Sequence, residues 1–293
     1  MDWGTTQLRA WLMGGEAPIL RSSDQGMNRL EPSEFETALL DLIEDHLPEV
    51  GTLPVICCGM VGAAQGWREA PYVATPCAPP GARDAVTLEA CSGRAKVYIL
   101  PGVKQLRPAD VMRGEETQVG GFLSLNPGWD GIICLPGTHT KWVHVSAGEI
   151  VSFQTFLTGE LFDLLTTQSV LRHTVVEGTD WTAFGDAVSQ AVSRPAQASS
   201  ELFRIRADAL LNVLSGECAY ARLSGLLIGA ELSAAKPYWL GQRIVVIGSG
   251  MMAEGYVQAL AAQGVTPERA NVTEATLAGL RATYEMLGQL DDL

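Results

Sequence analysis

The chain has no Cys-x-x-Cys pair and only four histidines, at 46, 139, 144 and 173, with no His-x-x-x-His or mixed His/Cys spacing. A structural zinc site is therefore not expected. Basic residues are also scarce, 20 Lys+Arg against 33 Asp+Glu, leaving a net charge of -13. Such a field repels nucleic-acid backbones and anionic membrane surfaces, so neither is expected as a partner. No apolar run approaches the roughly 20 residues of a membrane span, and no charged and apolar leader opens the sequence. A cytoplasmic protein is expected. The six cysteines (57, 58, 77, 91, 134, 218) include several in strand-like runs such as VICCG and GIICL, where buried reduced thiols are the simplest reading.

With 293 residues, 47% of them hydrophobic, there is material for about two globular domains. The opening MDWGTTQLRAW leads into Leu8 to Met13, which alternates with period two and reaches Gly14-Gly15, a hairpin signal, before Ala17 to Arg21 return as a strand. The middle of the chain repeats this order. Gly131 to Leu135 reads as a buried strand, Gly137-Thr138-His139-Thr140 as a turn, Lys141 to Val145 as a strand, and Ala147-Gly148 turns into Glu149 to Phe153. Gly4 to Gly15 and Gly137 to Gly148 are both eleven residues apart. After the first hairpin, Ser33-x-x-Glu36 reads as a capping box for a helix with Phe35, Leu39, Leu42, Ile43 and Leu47 on one face. After the second, Thr158 is placed to cap a helix carrying Leu161, Leu164, Leu165 and Leu171. Each half then holds a buried strand ending in glycine, Val55 to Gly59 and Ile244 to Gly248. The chain reads as two copies of a β-β-β-α-β-α plan, and the cleft between two such copies is where a small ligand is expected. A mostly helical stretch, Glu201 to Ala235, is broken near Ser215-Gly216.

A tight Gly/Thr turn presents backbone N–H groups and hydroxyls, neutral donors suited to phosphate oxygens. Gly4, Thr5 and Thr6 form one candidate phosphate turn, and Gly137, Thr138 and His139 another. Asp2, beside the first, suits Mg²⁺, directly or through water, since that ion prefers hard oxygen ligands and keeps several waters. Taken alone, each turn is as well explained as an ordinary hairpin with Asp2 as a cap. The run from Arg243 to Ala253 contains strand-GxGxxA, the dinucleotide fingerprint, at Gly248, Ser249, Gly250 and Met251. An NAD(P) oxidoreductase is the rival reading. It is opposed by the fingerprint's late position, with about forty residues after Ala253, ending in an amphipathic helix (Leu277, Leu280, Tyr284, Leu287). A nucleotide-binding protein without catalysis is a third. Arg113 to Gln118 sets two acids, Glu115 and Glu116, before Val119-Gly120-Gly121-Phe122, where a helix N-terminus would also favour them.

Long segments carry a family resemblance: DWGTT, CGMVGAAQGWREAPYV (58–73), MRGEETQ (112–118), LPGTHTKWV (135–143) and FLTGELFDLL (156–165). They resemble the 2-dehydro-3-deoxygalactonokinases, of the superfamily of actin, sugar kinases and the Hsp70 ATPase domain. The resemblance implies an α/β fold of two similar ribonuclease H-like, actin-like ATPase domains, each a mixed five-stranded sheet with helices, and a cleft between them. It implies ATP- and Mg²⁺-dependent phosphorylation of 2-dehydro-3-deoxy-D-galactonate at its terminal hydroxyl; the expected partners are the sugar acid and ATP, and a homodimer is allowed for. Laid over the related glycerol kinases, the base falls on Glu115, with Glu116 in reserve, and Gly248 to Met251 cradle the adenosine. Lys141 assists the phosphates. Met60, Gln65, Trp67 and Arg113 are the candidates for the sugar acid, Trp67 being equally a hydrophobic plug. Among Arg68, Arg113 and Lys141, the partner of the substrate carboxylate stays open. The expected lobes are 1–106 and 107–293, with the last helix, 273–288, packing back on the first. Family members carry apolar residues ahead of DWGTT, whereas Met1 directly precedes Asp2 here, so a stunted first strand is expected.

Overall fold

The computed structural model describes residues 1–14 and 17–291, so Gly15, half of the first hairpin signal, lies outside the described residues. The chain divides into two compact units, 1–129 with 147–152 and 273–293, and 130–146 with 153–272.

The first unit is built on a sheet of order β3-β2-β1-β4-β7-β6, from β1 (Asp2–Trp3), β2 (Leu8–Leu12), β3 (Ile19–Ser23), β4 (Leu53–Gly59), β6 (Val86–Ala90) and β7 (Ala95–Ile99). It has six strands where five were expected, because β6 pairs antiparallel with the outer side of β7. The short β1 runs antiparallel to β2, with Asp2 opposite Arg9, and parallel to β4, with Asp2 opposite Cys58. β4 is continuously apolar because both its faces are covered. Val55 and Cys57 join a core with Trp3, Phe35 and Leu39, while Ile56 and Cys58 pack with Leu100 and Leu280. The first of these cores includes α1 (Phe35–Ile43). The expected capping box does not form: Glu34 is the N-cap without a side-chain bond, and the Glu36 carboxylate instead accepts from Cys91 N at 2.6 Å. The second core uses the last helix, α9 (Val272–Asp291).

A small sheet joins β5 (Val73–Ala74) to β8 (Val103–Leu106) and β9 (Ala109–Met112), the latter two covering the stretch across the expected lobe boundary at 106. That stretch is a hairpin, its turn closed by Gln105 Nε2 donating to Pro108 O at 2.9 Å. α2 (Glu115–Leu125) follows. The first unit's main segment thus runs on to Trp129 rather than stopping at 106, since α2 packs backbone to backbone on α9.

The second unit holds a sheet of order β12-β11-β10-β13-β14: β10 (Gly131–Leu135), β11 (Thr140–Ser146), β12 (Glu149–Phe156), β13 (Ile244–Ile247) and β14 (Glu268–Ala270). Ile132, Cys134, Ile244 and Val246 turn one face toward helical side chains including Phe184, Ile228 and Tyr256. The helices are α3 (Thr158–Thr167), α4 (Trp181–Ser193), α5 (Ala198–Leu211), α6 (Gly216–Ala234), α7 (Lys236–Trp239) and α8 (Gly250–Ala262). The break between α5 and α6 falls at Ser215, whose hydroxyl caps α6 by accepting from Cys218 N. α3 differs from expectation: Leu157 is its N-cap, and Leu161 and Leu164 are exposed, whereas Leu165 and Leu171 face a core with Leu223 and Leu226. No helix among the described residues is long and apolar enough to cross a membrane.

The α2–α9 contact is the tightest in the first unit. A Cβ on Gly121 would lie 1.8 Å from Ala275 O, and one on Gly279 would lie 2.1 Å from Thr117 O. Alanine gains about 0.5–1 kcal/mol in a helix interior, but overpacking costs about 1–3 kcal/mol, so overpacking wins. Gly279→Ala is expected to lower stability, read as a drop in Tm by calorimetry; an unchanged or raised Tm would refute the close packing.

Candidate functional site

In the first unit, Asp2 ends up at the tip of β1 beside two turns. Gly59, at the end of β4, has φ +92°, and a Cβ there would lie 2.6 Å from Trp3 O and 3.3 Å from Asp2 Oδ1. Gly114 in turn sits against Gly59, its would-be Cβ 3.3 Å from Gly59 Cα. The turn bearing Glu115 is thereby brought to the strand end bearing Asp2. The Asp2 carboxylate, 16% exposed, is ion-paired with Arg9 across the β1–β2 ladder. The Cys58 thiol lies 4.0 Å from Asp2 Oδ1.

The two adjacent acids part company. Glu116 is fully buried and accepts from Gly114 N at 2.7 and 2.9 Å, closing the start of α2. Burial, reinforced by the neighbouring Glu115, pushes its carboxyl up to about 8, against the pull of the backbone N–H groups. Glu115 is only partly buried, with Oε2 accepting from Arg113 N at 3.1 Å.

Gly4, Thr5 and Thr6 form a tight turn, Gly4 N donating to Gln7 O at 2.8 Å, with Thr5 and Thr6 exposed. The segment 26–28 is clamped to it, as Met27 N donates to Gly4 O and Asn28 N to Thr5 O, both at 3.0 Å. Next to it lies a depression of about 590 Å³ lined by Met27, Asn28, Leu30, Glu31, Pro32 and Gln65. Met60 is half-buried in the turn that leads to Gln65.

Trp67 and Arg113 are used internally. The Trp67 ring stacks on Phe35 at 6.2 Å and meets Trp3 edge-on at 6.1 Å, so packing against the core accounts for it. The Arg113 guanidinium lies 4.2 Å over the Tyr72 ring and donates to Ala70 O at 2.9 Å, while Nε and Nη1 are buried without partners. It ties the 59–73 loop to the turn carrying the acids. Arg68 is exposed.

In the second unit, Gly137, Thr138 and His139 link β10 to β11, with Thr138 and His139 exposed. Lys141 is buried, its ammonium donating to His139 O at 3.0 Å, and so braces the turn. His139 Nε2 pairs with Glu160 Oε2 at 2.5 Å. The turn rests on the start of α3: Glu160 N donates to Thr138 O at 2.9 Å, and a Cβ on Gly159 would lie 2.3 Å from Gly137 O. Gly248 follows β13, a would-be Cβ only 2.8 Å from Ala253 Cβ. Ser249 makes no side-chain cap bond, and Gly250 takes φ +69° to open α8, with Ser249, Gly250 and Met251 exposed. Open N–H groups at such a helix start suit an anion.

Beside that helix is a mainly apolar cavity of about 120 Å³, whose walls include Phe162, Trp181, Tyr220, Met251, Met252 and Tyr256. Two edge-on aromatic pairs flank it, Phe162–Tyr220 at 5.0 Å and Trp181–Phe184 at 5.4 Å. Apart from Met251, sequence reasoning missed these walls, as it missed Asn28 and Glu31. Phe162 stood in plain view inside FLTGELFDLL; Trp181 and Tyr220 belong to helices with no motif to mark them.

Known proteins match nearly the whole of this chain. A family model described as 2-keto-3-deoxy-galactonokinase matches residues 2–283. A protein of Rhizobium meliloti (strain 1021), named among the 2-dehydro-3-deoxygalactonokinases, is 38% identical over 99% of this chain and 97% of its own. The 2-dehydro-3-deoxygalactonokinase of Escherichia coli (strain K12) is 33% identical over 96% and 95%. A Sinorhizobium meliloti crystal structure described within the same group superposes with TM-score 0.89 at 36% identity, covering 98% of this chain and 97% of that one. The activator of the 2-hydroxyisocaproyl-CoA dehydratase from Clostridium difficile, solved with bound ADPNP, shares the fold at TM-score 0.52 and 14% identity, covering 100% and 96%. The fold is α/β with mixed sheets, of the actin-like ATPase type, and the chain belongs to the 2-keto-3-deoxy-galactonokinase family.

Proposed function

We propose that this sugar-acid kinase transfers the terminal phosphoryl group of ATP to the 6-hydroxyl of 2-dehydro-3-deoxy-D-galactonate, a step of galactonate breakdown in the cytoplasm. The observation that carries the mechanism is Glu115: a partly exposed acid on a turn whose backbone packs on Gly59, which in turn packs against Trp3 and Asp2. Phosphoryl transfer needs in-line positioning, compensation of phosphate charge and an acid beside the attacking hydroxyl. Glu115 accepts that hydroxyl's proton. Glu116 closes the helix start and is the scaffold for its neighbour.

Thr5, Thr6 and the Gly4 turn offer donors to phosphate, as do Gly137, Thr138 and His139 in the second unit. The open start of α8, Gly248 to Met251, faces the nucleotide, whose base lodges in the aromatic-flanked cavity. Met60, Gln65 and Asn28 meet the sugar-acid hydroxyls. Arg113 supports the site from behind its loop, and Lys141 braces its phosphate turn. Asp2 fits a magnesium contact through water: one carboxylate, partly exposed, with Arg9 on one edge, suits an ion that keeps most of its waters and takes other oxygens from phosphate. When bound, that ion neutralises charge on the phosphate oxygens. The two units read as copies of one plan, since the order β3-β2-β1-β4-β7 parallels β12-β11-β10-β13-β14. An NAD(P) oxidoreductase is not supported: after β13 and α8 comes only the three-residue β14, and then α9, which belongs to the first unit. A catalytically silent nucleotide binder is likewise unsupported.

In a coupled ADP-release assay with Mg-ATP and the sugar acid, Glu115→Gln is expected to lower kcat by about 10²–10⁴-fold, with the KM for ATP unchanged. Turnover near the parent rate would remove Glu115 from the role, and no sugar-acid-dependent ADP release by the parent would overturn the reading.

Glu116 generates a pH prediction. Its carboxyl titrates at about 8 when folded against an ordinary 4.5, so the folded state binds more protons between those values. Stability conferred at low pH is therefore lost as pH rises through that window. Glu116→Gln should flatten denaturant-measured stability between pH 5 and 8 while keeping turnover; a slope identical to the parent's would refute the burial effect.

Gly159→Ala is expected to raise the KM for ATP by displacing the 137–139 turn, the KM for the sugar acid staying put. Equal effects on both would count against a phosphate role for that turn.

A further inference from the structure

Four elements of the second unit meet at one carboxylate that no motif contains. Glu231, on α6, is buried. It accepts from Trp142 Nε1 at 2.7 Å, from Tyr256 Oη at 2.6 Å and from Thr158 Oγ1. Tyr256 Oη also lies 2.8 Å from Thr140 Oγ1. The proton arithmetic fixes the direction of this chain. Tyr256 has one proton and gives it to the carboxylate, so Thr140 must donate to the tyrosine oxygen.

Each donor belongs to a wall of the nucleotide site. Thr140 and Trp142 begin β11, immediately after the 137–139 turn. Thr158 begins α3 next to Gly159, which abuts Gly137 O. Thr158 and Tyr256 both line the cavity, and Tyr256 stands on α8, whose start is the open Gly250 turn. A buried carboxylate is not retained for stability alone, because well-packed apolar replacements are often neutral or better. What an apolar residue lacks is the power to hold three separate donors in fixed directions.

We propose that Glu231 is the positioning residue of the nucleotide site, a buried acceptor that holds the phosphate turn's strand, the start of α3 and α8 in mutual register through Trp142, Thr158 and Tyr256. This rests on the reading that the second unit binds ATP. Glu231 touches no substrate. Its influence passes through Thr158 and Tyr256.

The test is Glu231→Gln in the full chain. Glutamine keeps the shape but has one accepting oxygen, and its NH₂ opposes at least one of the three donors. Loss of a buried partner predicts about a tenfold or greater rise in the KM for ATP and in the ADP dissociation constant by calorimetry. The KM for the sugar acid and kcat at saturating ATP should move less than threefold or so. A residue that merely stabilised the fold would lower Tm without this split. Tyr256→Phe should show the same split more weakly, and the double variant should lose little beyond Glu231→Gln alone. If Glu231→Gln does not fold, Tyr256→Phe decides: a raised KM for ATP alone supports the proposal, and an unchanged one overturns it. Equal ADP affinity in parent and Glu231→Gln also overturns it. A parent chain that binds no ADP or ATP at all overturns instead the nucleotide reading on which the proposal stands.

Discussion

The first unit's site depends on how closely main chain meets main chain at the end of β4. Gly59 takes a backbone angle that side-chain-bearing residues rarely adopt, and its Cα lies where any Cβ would drive into Trp3 O. That absence of a side chain lets β1 finish beside β4 and lets Gly114 rest on Gly59. The turn bearing Glu115 and the strand bearing Asp2 both pack on Gly59. The second unit solves the same problem at Gly159, where a helix start abuts the carbonyl of Gly137. In both units the chain offers its own N–H and C=O groups at close quarters and leaves short polar side chains to project.

The charges follow a related logic. A chain of net charge -13 that handles ATP and a sugar acid has few cations, and several beside its turns have partners within the protein: Arg9 with Asp2, Arg113 with Ala70 O and Tyr72, Lys141 with His139 O. The neutral N–H groups and hydroxyls of the turns and of the α8 start carry no counter-charge to be displaced, which suits them to the anion role proposed for them. The paired acids obey the same economy. With Glu116 buried and protonated over most of the neutral range, Glu115 meets the positive end of α2 without a like charge beside it.

What could be read from the letters was whatever one segment decides for itself. Period-two alternation placed Leu8–Leu12, apolar runs ending in glycine placed β4 and β13, and the turns showed themselves as Gly-Thr. The last helix was legible from its spacing and belongs to the first unit. Decisions that need a distant partner were hidden. Ser33 and Glu36 have the spacing of a capping box, but Cys91 N, remote in sequence, takes the glutamate. Thr158 has the chemistry of a cap, but Glu231 takes its hydroxyl. Trp67 carried two readings until Phe35 and Trp3 were seen around it. The expected lobe boundary at 106 falls in a turn between two strands, and only cross-strand pairing reveals that hairpin.

The two buried glutamates show why composition fails at such sites. Glu116 and Glu231 are identical letters in helices, one beside a motif and one far from any. Taking a carboxyl out of water is unfavourable in either place. Glu116 is tolerated because the N–H of its own helix start meets it, with the adjacent Thr117 hydroxyl, so its donors all lie within one turn. Glu231 is tolerated because three side chains from three elements converge on it, so its consequences reach across the unit. A buried acid thus carries information in proportion to the sequence distance of its donors. By that measure the residue with most influence over the walls proposed for the nucleotide is one that lies behind them, bonded to Thr158 and Tyr256, and sits in no recognisable pattern.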